Sequence, residues 1–387
     1  MIYKSSSPLS PQVTTLIGGV EVNYTSIVGA ELVLEENKHD LLILKFAGVP
    51  PSLLSSYIGA PVLFSVDSGP SRKQRFTGYV SNIEPIGQGN LGYVNTSPFQ
   101  EVHVYCIGAS YYMKAMSSKN WFPPTLNNVV SEMSKKYGFS ADFPKSTYVP
   151  LNLSQTAESD WSFLTKVVNK YSYRVTVHGT HIHVWDTYNA TGRAASYHEL
   201  ITPRNPGGAL PCTILKFEGF FGALSSSGYS SSTAVAYLDN QGQTLQVSSD
   251  NVRDTSGLGQ RYSSGFNNFV TSSTQSFEDA QKEVLRVRKA NMPFSASIQI
   301  SAGAGVVPGG IVNVLDYGSD FDGLWYVRSV KHRVYQNHYV TDLEVSKDAL
   351  HTVNFDIKPV TKFVDPPEPL VIDNKWVSSK RRVSEYV

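Results

Sequence analysis

The sequence predicts a mainly β protein with α+β insertions, and two observations support that prediction. Short segments in which apolar and polar residues alternate recur along much of the chain, separated by turns rich in Gly, Pro, Asp and Ser. One block instead has apolar residues about 3.6 positions apart, which indicates helices. A chain of 387 residues also exceeds what one hydrophobic core usually organises, so several domains are expected.

Residues 1–110 are predicted to form a first small antiparallel β-barrel. Alternation and β-branched residues mark its strands, and no long helical pattern interrupts them. The strand segments are VEVNYTS, AELVLEE, LLILKFA, PVLFSVD, RFTGYVSNIEP and EVHVYCIG.

Residues 111–208 are predicted to be an α+β insertion domain. A first helix begins after the N-cap residue Thr125 and ends at Gly138, with an apolar face made of Leu126, Val129, Val130 and Met133. A second helix covers about Ser159 to Tyr171, and the segments YRVTVHG and HIHVWD then form a hairpin. The stretch 187–210 is rich in Gly and Pro and is interpreted as a connection at a domain boundary.

A second small barrel is predicted for residues 209–247 and 294–350. Alternating segments mark both of its parts. The intervening residues 248–293 are predicted to be an insertion made of a Ser/Gly-rich loop and a helix at 276–292.

The two barrels share a weak internal repeat. GAPVLFSVDSG, which begins at Gly59, is similar to GGIVNVLDYG, which begins at Gly309, and a Gly-containing strand follows each. These strands share the pattern Tyr-Val-x-x-Ile/Val at Tyr79–Ile83 and Tyr326–Val330. Two matches in the same order favour a duplicated barrel. Three copies of such a chain can place six similar barrels around one axis, so a trimeric ring is expected.

Candidate interface residues lie in the second barrel and near the C-terminus. Trp325 and Tyr326 are neighbours on one strand and point to opposite faces, so one of them is expected to be available for a subunit interface. The proline-rich residues 351–387 are predicted to be an extended C-terminal arm, with disorder as the alternative. Trp376 and Tyr386 are the candidate anchors of that arm.

Composition argues against several classes of protein. The net charge is +1 and only 17% of residues are charged, so the chain lacks the basic excess of a protein that reads nucleic-acid sequence. Its two cysteines, Cys106 and Cys212, are far apart and suggest neither a disulfide framework nor a zinc ribbon. No stretch of about 18 apolar residues occurs, and we expect no stable membrane insertion.

Motifs for catalysis or metal binding are weak. His181 and His183 lie on one face of a predicted strand, but Asp186 has the wrong parity to join them. Glu158 and Asp160 stand at a helix start, where carboxylates stabilise free N–H groups, and are not placed as a catalytic pair. GxSxG, P-loop and HExxH motifs do not occur. We therefore expect no catalytic residue, no cofactor and no metal site.

In their order along the chain, several of these segments resemble the tail hub, or baseplate hub, proteins of bacteriophages. That family is related to phage late control protein D and to the N-terminal part of the spike proteins of contractile secretion systems. The resembling segments are GAPVLFSV with FTGYVSNIEP, TLNNVVSEMSKKYGF, LNLSQTAESDWSFLTKVV, and PFSASIQIS with PGGIVNVLDYG, DGLWYVRSVKHRV and YVTDLEVSKD. They cover about residues 20 to 350, and ESDWSFL is the most specific of them.

The resemblance implies a homotrimeric ring of tail-tube-like barrels with a central channel, which joins a six-fold tail tube to a three-fold spike or tip. It implies as partners the tail tube protein, the central spike or tip protein, other baseplate or distal tail proteins and the tape measure protein. DNA would pass transiently, without sequence-specific binding. The implied location is the virion, after assembly in the bacterial host cytoplasm.

The resemblance also favours a structural protein over an enzyme, since no lysozyme, peptidase or spike region follows residue 350. The alternative is a tail-tip enzyme or carbohydrate-binding protein that acts on the host cell surface. Its site would be built from the Ser/Gly/Tyr-rich loops 219–232 and 248–274.

Overall fold

The computed structural model describes residues 12–22, 27–67, 73–87, 101–143, 153–170, 173–186, 198–201, 213–221, 230–238, 244–248, 266–271, 294–301, 305–318, 321–335 and 338–347. The strands are β1 (Gln12–Ile17), β2 (Val20–Glu21), β3 (Ile27–Glu35), β4 (Leu41–Ala47), β5 (Pro61–Asp67), β6 (Lys73–Ile86), β7 (Glu101–Gly108), β8 (Met116–Trp121), β9 (Ser140–Asp142), β10 (Leu153–Ser159), β11 (Tyr173–His178), β12 (His181–Asp186), β13 (His198–Ile201), β14 (Ile214–Phe221), β15 (Ser230–Leu238), β16 (Thr244–Ser248), β17 (Phe266–Thr271), β18 (Phe294–Ser301), β19 (Ile311–Leu315), β20 (Gly323–Tyr335) and β21 (His338–Lys347). The helices are α1 (Pro51–Ser55), α2 (Leu126–Tyr137) and α3 (Asp160–Lys170), with a 3₁₀ helix at Ala109–Lys114. Within these ranges no helix has the length and apolar character needed to span a bilayer.

A 13-stranded sheet dominates the described part of the chain. It consists of a first half, ordered β3-β4-β7-β6-β5-β1, and a second half, ordered β14-β18-β21-β20-β19-β13. The halves meet where β20 pairs with β3, and β2 extends the first half beyond β1. Neighbouring strands are antiparallel except β13 and β19, which are parallel. The prediction of a mainly β fold with α+β insertions is confirmed.

The core of the large sheet follows from the alternation seen in the sequence. Along β4 and β7 every second residue is buried. The buried residues of both halves belong to one cluster, which includes Leu32, Leu44, Val104, Ile298 and Leu343. Burial of one large aliphatic side chain contributes about 1.5–3 kcal/mol. The shared core therefore holds the two halves together.

The helices of the insertion domain begin and end where the sequence predicts. The Thr125 hydroxyl accepts a hydrogen bond from the N–H of Asn128 at 3.1 Å, and Gly138 ends α2 with φ +69°. The Ser159 hydroxyl accepts the N–H of Ser162 at 3.1 Å and caps α3. The apolar faces of both helices form a second buried cluster with the hairpin β11–β12, which was also predicted.

Strand pairing differs from the predicted domain division in two places. Residues 198–201, inside the predicted connection 187–210, form β13 and pair with β19. β15 and β16, assigned to the second barrel, instead form a separate three-stranded sheet with β17, a stretch interpreted as loop. The segments HELI of β13 and FNNFVT of β17 show little alternation, so their pairing depends on partners that are distant in sequence. The predicted helix at 276–292 lies outside the described residues.

Candidate subunit interface

The predicted repeat is present in the backbone as two equivalent turn-and-strand units. In the first unit the Gly59 N–H donates to the Val80 carbonyl at 2.8 Å, and in the second the Gly309 N–H donates to the Val327 carbonyl at 2.9 Å. Both glycines have φ +81°, a left-handed conformation that favours glycine. The repeat is therefore confirmed at the level of single hydrogen bonds.

The equivalence continues along the strands through matching β-bulges. The register of β6 with β7 shifts after Val80, and that of β20 with β21 shifts after Val327. A second pair of bulges lies in β3 and β14, whose registers with β4 and β18 shift after Ile27 and after Ile214. Because a bulge bends and twists a strand at a defined place, matching bulges give the two halves matching strand geometry.

The two halves differ at their edges. Counted from the bulges, Asn82–Ile86 corresponds to Ser329–Arg333, and Ile214–Phe221 corresponds to Ile27–Leu34. β20 has β21 along one edge and β19 followed by β3 along the other. On β6, the segment Asn82–Ile86 pairs with β7 but has no strand on its other side among the described residues. The outer edge of β14 likewise has no described strand. Within the described residues, the counterparts of the two strands that meet at the β20–β3 joint, β6 and β14, therefore each have an unpaired edge.

The β20–β3 joint shows what such a contact contains. Its register places Val330 opposite Leu34, and both belong to the core. On the other face Glu31 forms ion pairs with Lys45 and Lys331, each at 2.6 Å. Burial alone would raise the pKa of Glu31, but the two ammonium groups outweigh it and hold that pKa below its ordinary value. The joint combines apolar contact on one face with charge pairing on the other.

The unpaired edges of β14 and β6 differ in the groups that they offer to a partner strand. On β14, Leu215 and Phe220 are 53% and 68% exposed. On β6, the Ile83 N–H donates to Oδ1 of Asn82 at 2.9 Å, and Pro85, two residues further, has no N–H. A proline and an amide bonded to its own neighbour protect an edge from indiscriminate pairing. This edge of β6 has few free N–H groups to donate. A partner strand would therefore have to donate its own N–H groups to the β6 carbonyls.

Trp325 and Tyr326, predicted as interface candidates, are both buried within the chain, at 0% and 2% exposure. The Tyr326 hydroxyl accepts a hydrogen bond from Trp185 Nε1 at 3.1 Å, and Trp325 lies in the core of the large sheet. The expectation that one of them is available at the surface is wrong, because Trp185 covers Tyr326 and the core of the large sheet encloses Trp325. Trp376 and Tyr386 lie outside the described residues and stay predictions.

Asp160 has more partners than a helix-start carboxylate needs. It accepts hydrogen bonds from four side chains at 2.5–2.8 Å, those of Lys136, Tyr137, Ser117 and Gln155. Burial alone would raise the pKa of Asp160, but these donors lower it below its ordinary value. Glu158 instead pairs with Lys166 at 3.2 Å. The two carboxylates have separate partners, and Asp160 ties both helices to β8 and β10.

The insertion domain also brings together residues that can hold a metal ion. His181 and His183 share a strand face, as predicted, and the parallel pairing of β9 with β12 places Asp142 opposite His183. The possible ligand atoms of these three residues all lie within 4.8 Å of one another. Sequence reasoning missed Asp142, because a three-residue strand that pairs with a distant strand leaves no local pattern.

Comparisons with known proteins identify solved structures with a similar fold. No protein-family model matches the chain, and no curated protein matches it in sequence. Among solved structures it is similar to a tail protein from Neisseria meningitidis MC58, with a TM-score of 0.61 and 11% identity over 88% of this chain and 98% of that chain. A 43 kDa tail protein of prophage MuSo2 from Shewanella oneidensis gives a TM-score of 0.61 and 12% identity, covering 88% of this chain and 99% of that one.

A third similar structure is an E. coli component of the type VI secretion system, itself described as structurally similar to the T4 bacteriophage tail proteins gp27 and gp5. Its TM-score is 0.55 at 10% identity, covering 89% of this chain and 80% of that chain. The chain therefore has the fold of phage tail and tail-related proteins, as the sequence resemblance implied.

Proposed function

We propose that this protein is a structural hub of a phage-type tail, in which three copies close into a ring. The observation that carries the proposal is the internal β20–β3 joint, since a counterpart of each of its strands recurs in the chain with an edge that no other described strand pairs. When one surface of each copy contacts a different surface of the next copy, the contact repeats around an axis. The copies form a closed ring if the last copy meets the first. β6 of one chain and β14 of the next supply such a pair of surfaces.

The register of the proposed contact follows from the repeat. Because Lys331 lies opposite Val33 inside the chain, their counterparts Glu84 and Phe220 are expected to face each other across two chains. Ile83, which is partly buried against the core, would be covered by the neighbouring strand. The contact closes the sheet edge and extends the apolar layer on the same face.

In the proposed ring, the β20–β3 contact within each chain alternates with the β6–β14 contact between chains. Three chains with two similar halves each can thereby present six similar units. Joints within a chain alternate with joints between chains, so the ring is three-fold by chain and nearly six-fold by surface. Such a ring fits a six-fold tail tube on one side and a three-fold spike or tip on the other. Because Pro85 removes one donor, the joint between chains has fewer hydrogen bonds than the internal joint. Assembly is therefore weaker than the fold of each chain.

The proposed partners follow from this role, and the likeness of the fold to tail proteins supports them. The ring is a platform on which the tail tube protein assembles, and it contacts the spike or tip, other baseplate or distal tail proteins and the tape measure protein. Residues 351–387, anchored by Trp376 and Tyr386, dock on a neighbouring subunit or on the spike. The protein belongs to the virion, is assembled in the host cytoplasm and has no enzymatic activity of its own.

The charge of the sheet suits a channel for DNA. On the polar face, Glu31 is neutralised by Lys45 and Lys331, and Arg333 pairs with Asp342 at 2.7 Å. Unpaired basic side chains in a channel would bind backbone phosphates and retard their passage. A face on which these basic side chains are paired with carboxylates lets DNA pass without stable or sequence-specific binding.

The first test is the mass of the purified chain by light scattering, with negative-stain images of the same sample. We expect a trimer and a ring with a central hole. A chain that stays monomeric, alone and with tube and spike proteins added, would contradict the hub.

Paired cysteines test the proposed register. Glu84 follows Ile83, whose N–H is on the open side, so Glu84 and Phe220 form a non-hydrogen-bonded pair with Cα atoms about 4.5 Å apart, which suits a disulfide. The chain with Glu84→Cys and Phe220→Cys, and with Cys212→Ser, is expected to form cross-linked species that stop at three chains. In the control, Lys216→Cys replaces Phe220→Cys and lies four residues, about 13 Å, out of register. A ring that cross-links equally in both would retain the hub role and overturn the β6–β14 contact.

The alternative role in carbohydrate binding or wall degradation was assigned to loops 219–232 and 248–274. Most of that stretch lies outside the described residues, and the described contacts give it no separate support. Binding and hydrolysis assays on peptidoglycan and oligosaccharides decide between the two roles.

A further inference from the structure

We propose that Asp142, His181 and His183 form a binding site for a divalent transition metal, best suited to Zn²⁺. The site lies in the insertion domain, on the face shared by β9 and β12. It is independent of the proposed ring, because all three ligands come from one chain and from one small sheet.

Two of the three distances between the donor atoms are close to those of a tetrahedral site, and all three lie within 4.8 Å. Zn²⁺ binds imidazole nitrogen and carboxylate oxygen at about 2.0–2.2 Å, so neighbouring ligand atoms in a tetrahedron are about 3.3–3.5 Å apart. Oδ2 of Asp142 lies 3.0 Å from Nε2 of His181 and 3.5 Å from Nδ1 of His183. The Asp142 side chain is 57% exposed, so an ion can reach its carboxylate from solvent.

His181 is held in the orientation that a ligand requires. Its Nδ1 lies 2.5 Å from the hydroxyl of Ser140, and such a hydrogen bond to the second ring nitrogen orients metal-binding histidines. Nε2 is screened from solvent and makes no hydrogen bond within the described residues, although Asp142 is close. A nitrogen of this kind is stabilised by a metal ion that it can coordinate.

The donor set favours zinc over the harder cations. Two imidazoles and one carboxylate suit Zn²⁺, whereas Ca²⁺ and Mg²⁺ prefer sites made of oxygen atoms. Three protein ligands leave a fourth position for water or for a donor from another molecule. Bound metal would join the three-residue strand β9 to the hairpin and so stabilise the insertion domain.

The test uses the full-length, untagged chain after removal of metal with a chelator. Calorimetric titration with Zn²⁺ is expected to show one strong site per chain, and Co²⁺ is expected to give the intense visible absorption of tetrahedral coordination. Asp142→Asn and His183→Asn should each weaken Zn²⁺ binding at least about tenfold, because each removes a ligand.

The matched control is His103→Asn. His103 lies 3.1 Å from Glu101, a similar imidazole–carboxylate pair, but the pair belongs to no three-residue metal-binding group in the described ranges. This variant should bind Zn²⁺ as the unmodified chain does. Equal binding by the unmodified chain and Asp142→Asn would overturn the site, as would equal losses in His183→Asn and His103→Asn, or weak Co²⁺ absorption in every variant.

Discussion

The two turn-and-strand units have the same backbone conformation, but the side chains that surround them differ. At Gly59 a Cβ would meet nothing within 4 Å, whereas at Gly309 it would lie 2.4 Å from the Trp185 ring. Tyr79 packs edge-on against Tyr112, with ring centroids 4.4 Å apart. Its counterpart Tyr326 is buried beneath Trp185. Hydrogen bonds and bulges preserve a repeated backbone, while side chains adapt one copy to contacts within the chain and leave the other copy open.

The largest expected difference between the units is at their glycine turns. Gly59→Ala introduces only the strain of a left-handed alanine, about 1 kcal/mol. Gly309→Ala adds a clash with the buried indole, for a total of about 3 kcal/mol. Chemical denaturation of both variants measures these losses. Equal losses would show that the contact with Trp185 does not distinguish the two turns.

The second expected difference is at the paired tyrosines. The Tyr326 hydroxyl is buried between Trp185 and Glu36, and burial with the nearby Glu36 carboxylate raises the pKa of Tyr326. Tyr326→Phe leaves both partners short of a hydrogen bond and should destabilise the fold by about 2 kcal/mol. Tyr79→Phe, at a less buried site, should cost about 1 kcal/mol or less. The comparison fails if Tyr79→Phe is the more damaging substitution in thermal unfolding.

A third expected difference is in how stability responds to a fall in pH. His332 of β20 is buried with its Nδ1 2.9 Å from the Tyr339 hydroxyl, whereas Pro85 occupies the equivalent place on β6. Burial lowers the pKa of His332 to about 3, against about 6.5 when unfolded. Between these values the unfolded chain binds more protons, so stability is complete above pH 6.5 and decreases as the pH falls. The expected loss from pH 7 to pH 5 is about 2 kcal/mol.

Urea denaturation at the two pH values checks this prediction. His332→Gln should remove most of this loss, while His103→Gln, at a partly exposed histidine, should retain it. An unchanged acid loss in His332→Gln would mean that other groups account for the acid sensitivity.

The smallest expected effect is on the polar face of the joint. Lys331→Met removes one of the two ion pairs of Glu31, and should cost less than about 1 kcal/mol because Lys331 is partly exposed. The matched change Glu84→Met, at the β6 edge, removes only the exposed hydrogen bond that the Tyr105 hydroxyl donates to Glu84, and should cost the unassembled chain less than Lys331→Met does. A cost for Lys331→Met that persists in high salt would argue against an electrostatic origin.

Much of the fold could be predicted because its signals are local. The Thr125 cap, the Gly138 stop, the β11–β12 hairpin and the alternation in β4 and β7 each depend on residues a few positions apart. The repeat was also visible, since its turns and strands retain matching residues at Gly59 and Gly309. Segments of weak pattern, such as β13 and β17, were interpreted as loops because only their partners make them strands.

The candidate sites were harder to predict, for the same reason. Asp160 was expected at a helix start, and it is there, but its four hydrogen-bond donors come from other elements. Asp142 reaches the histidines only through the β9–β12 pairing. The burial of Tyr326 depends on Trp185, which is 141 positions earlier in the chain.

By itself, the sequence determined the class of fold, the positions of α2 and α3 and the existence of two similar units. These follow from backbone preferences and apolar periodicity within short windows. Only the tertiary structure decided which strand edges are filled, which tyrosine is covered and which side chains share a site. Strand pairing and burial lower the free energy of the whole chain, so their outcome depends on residues that no local window contains.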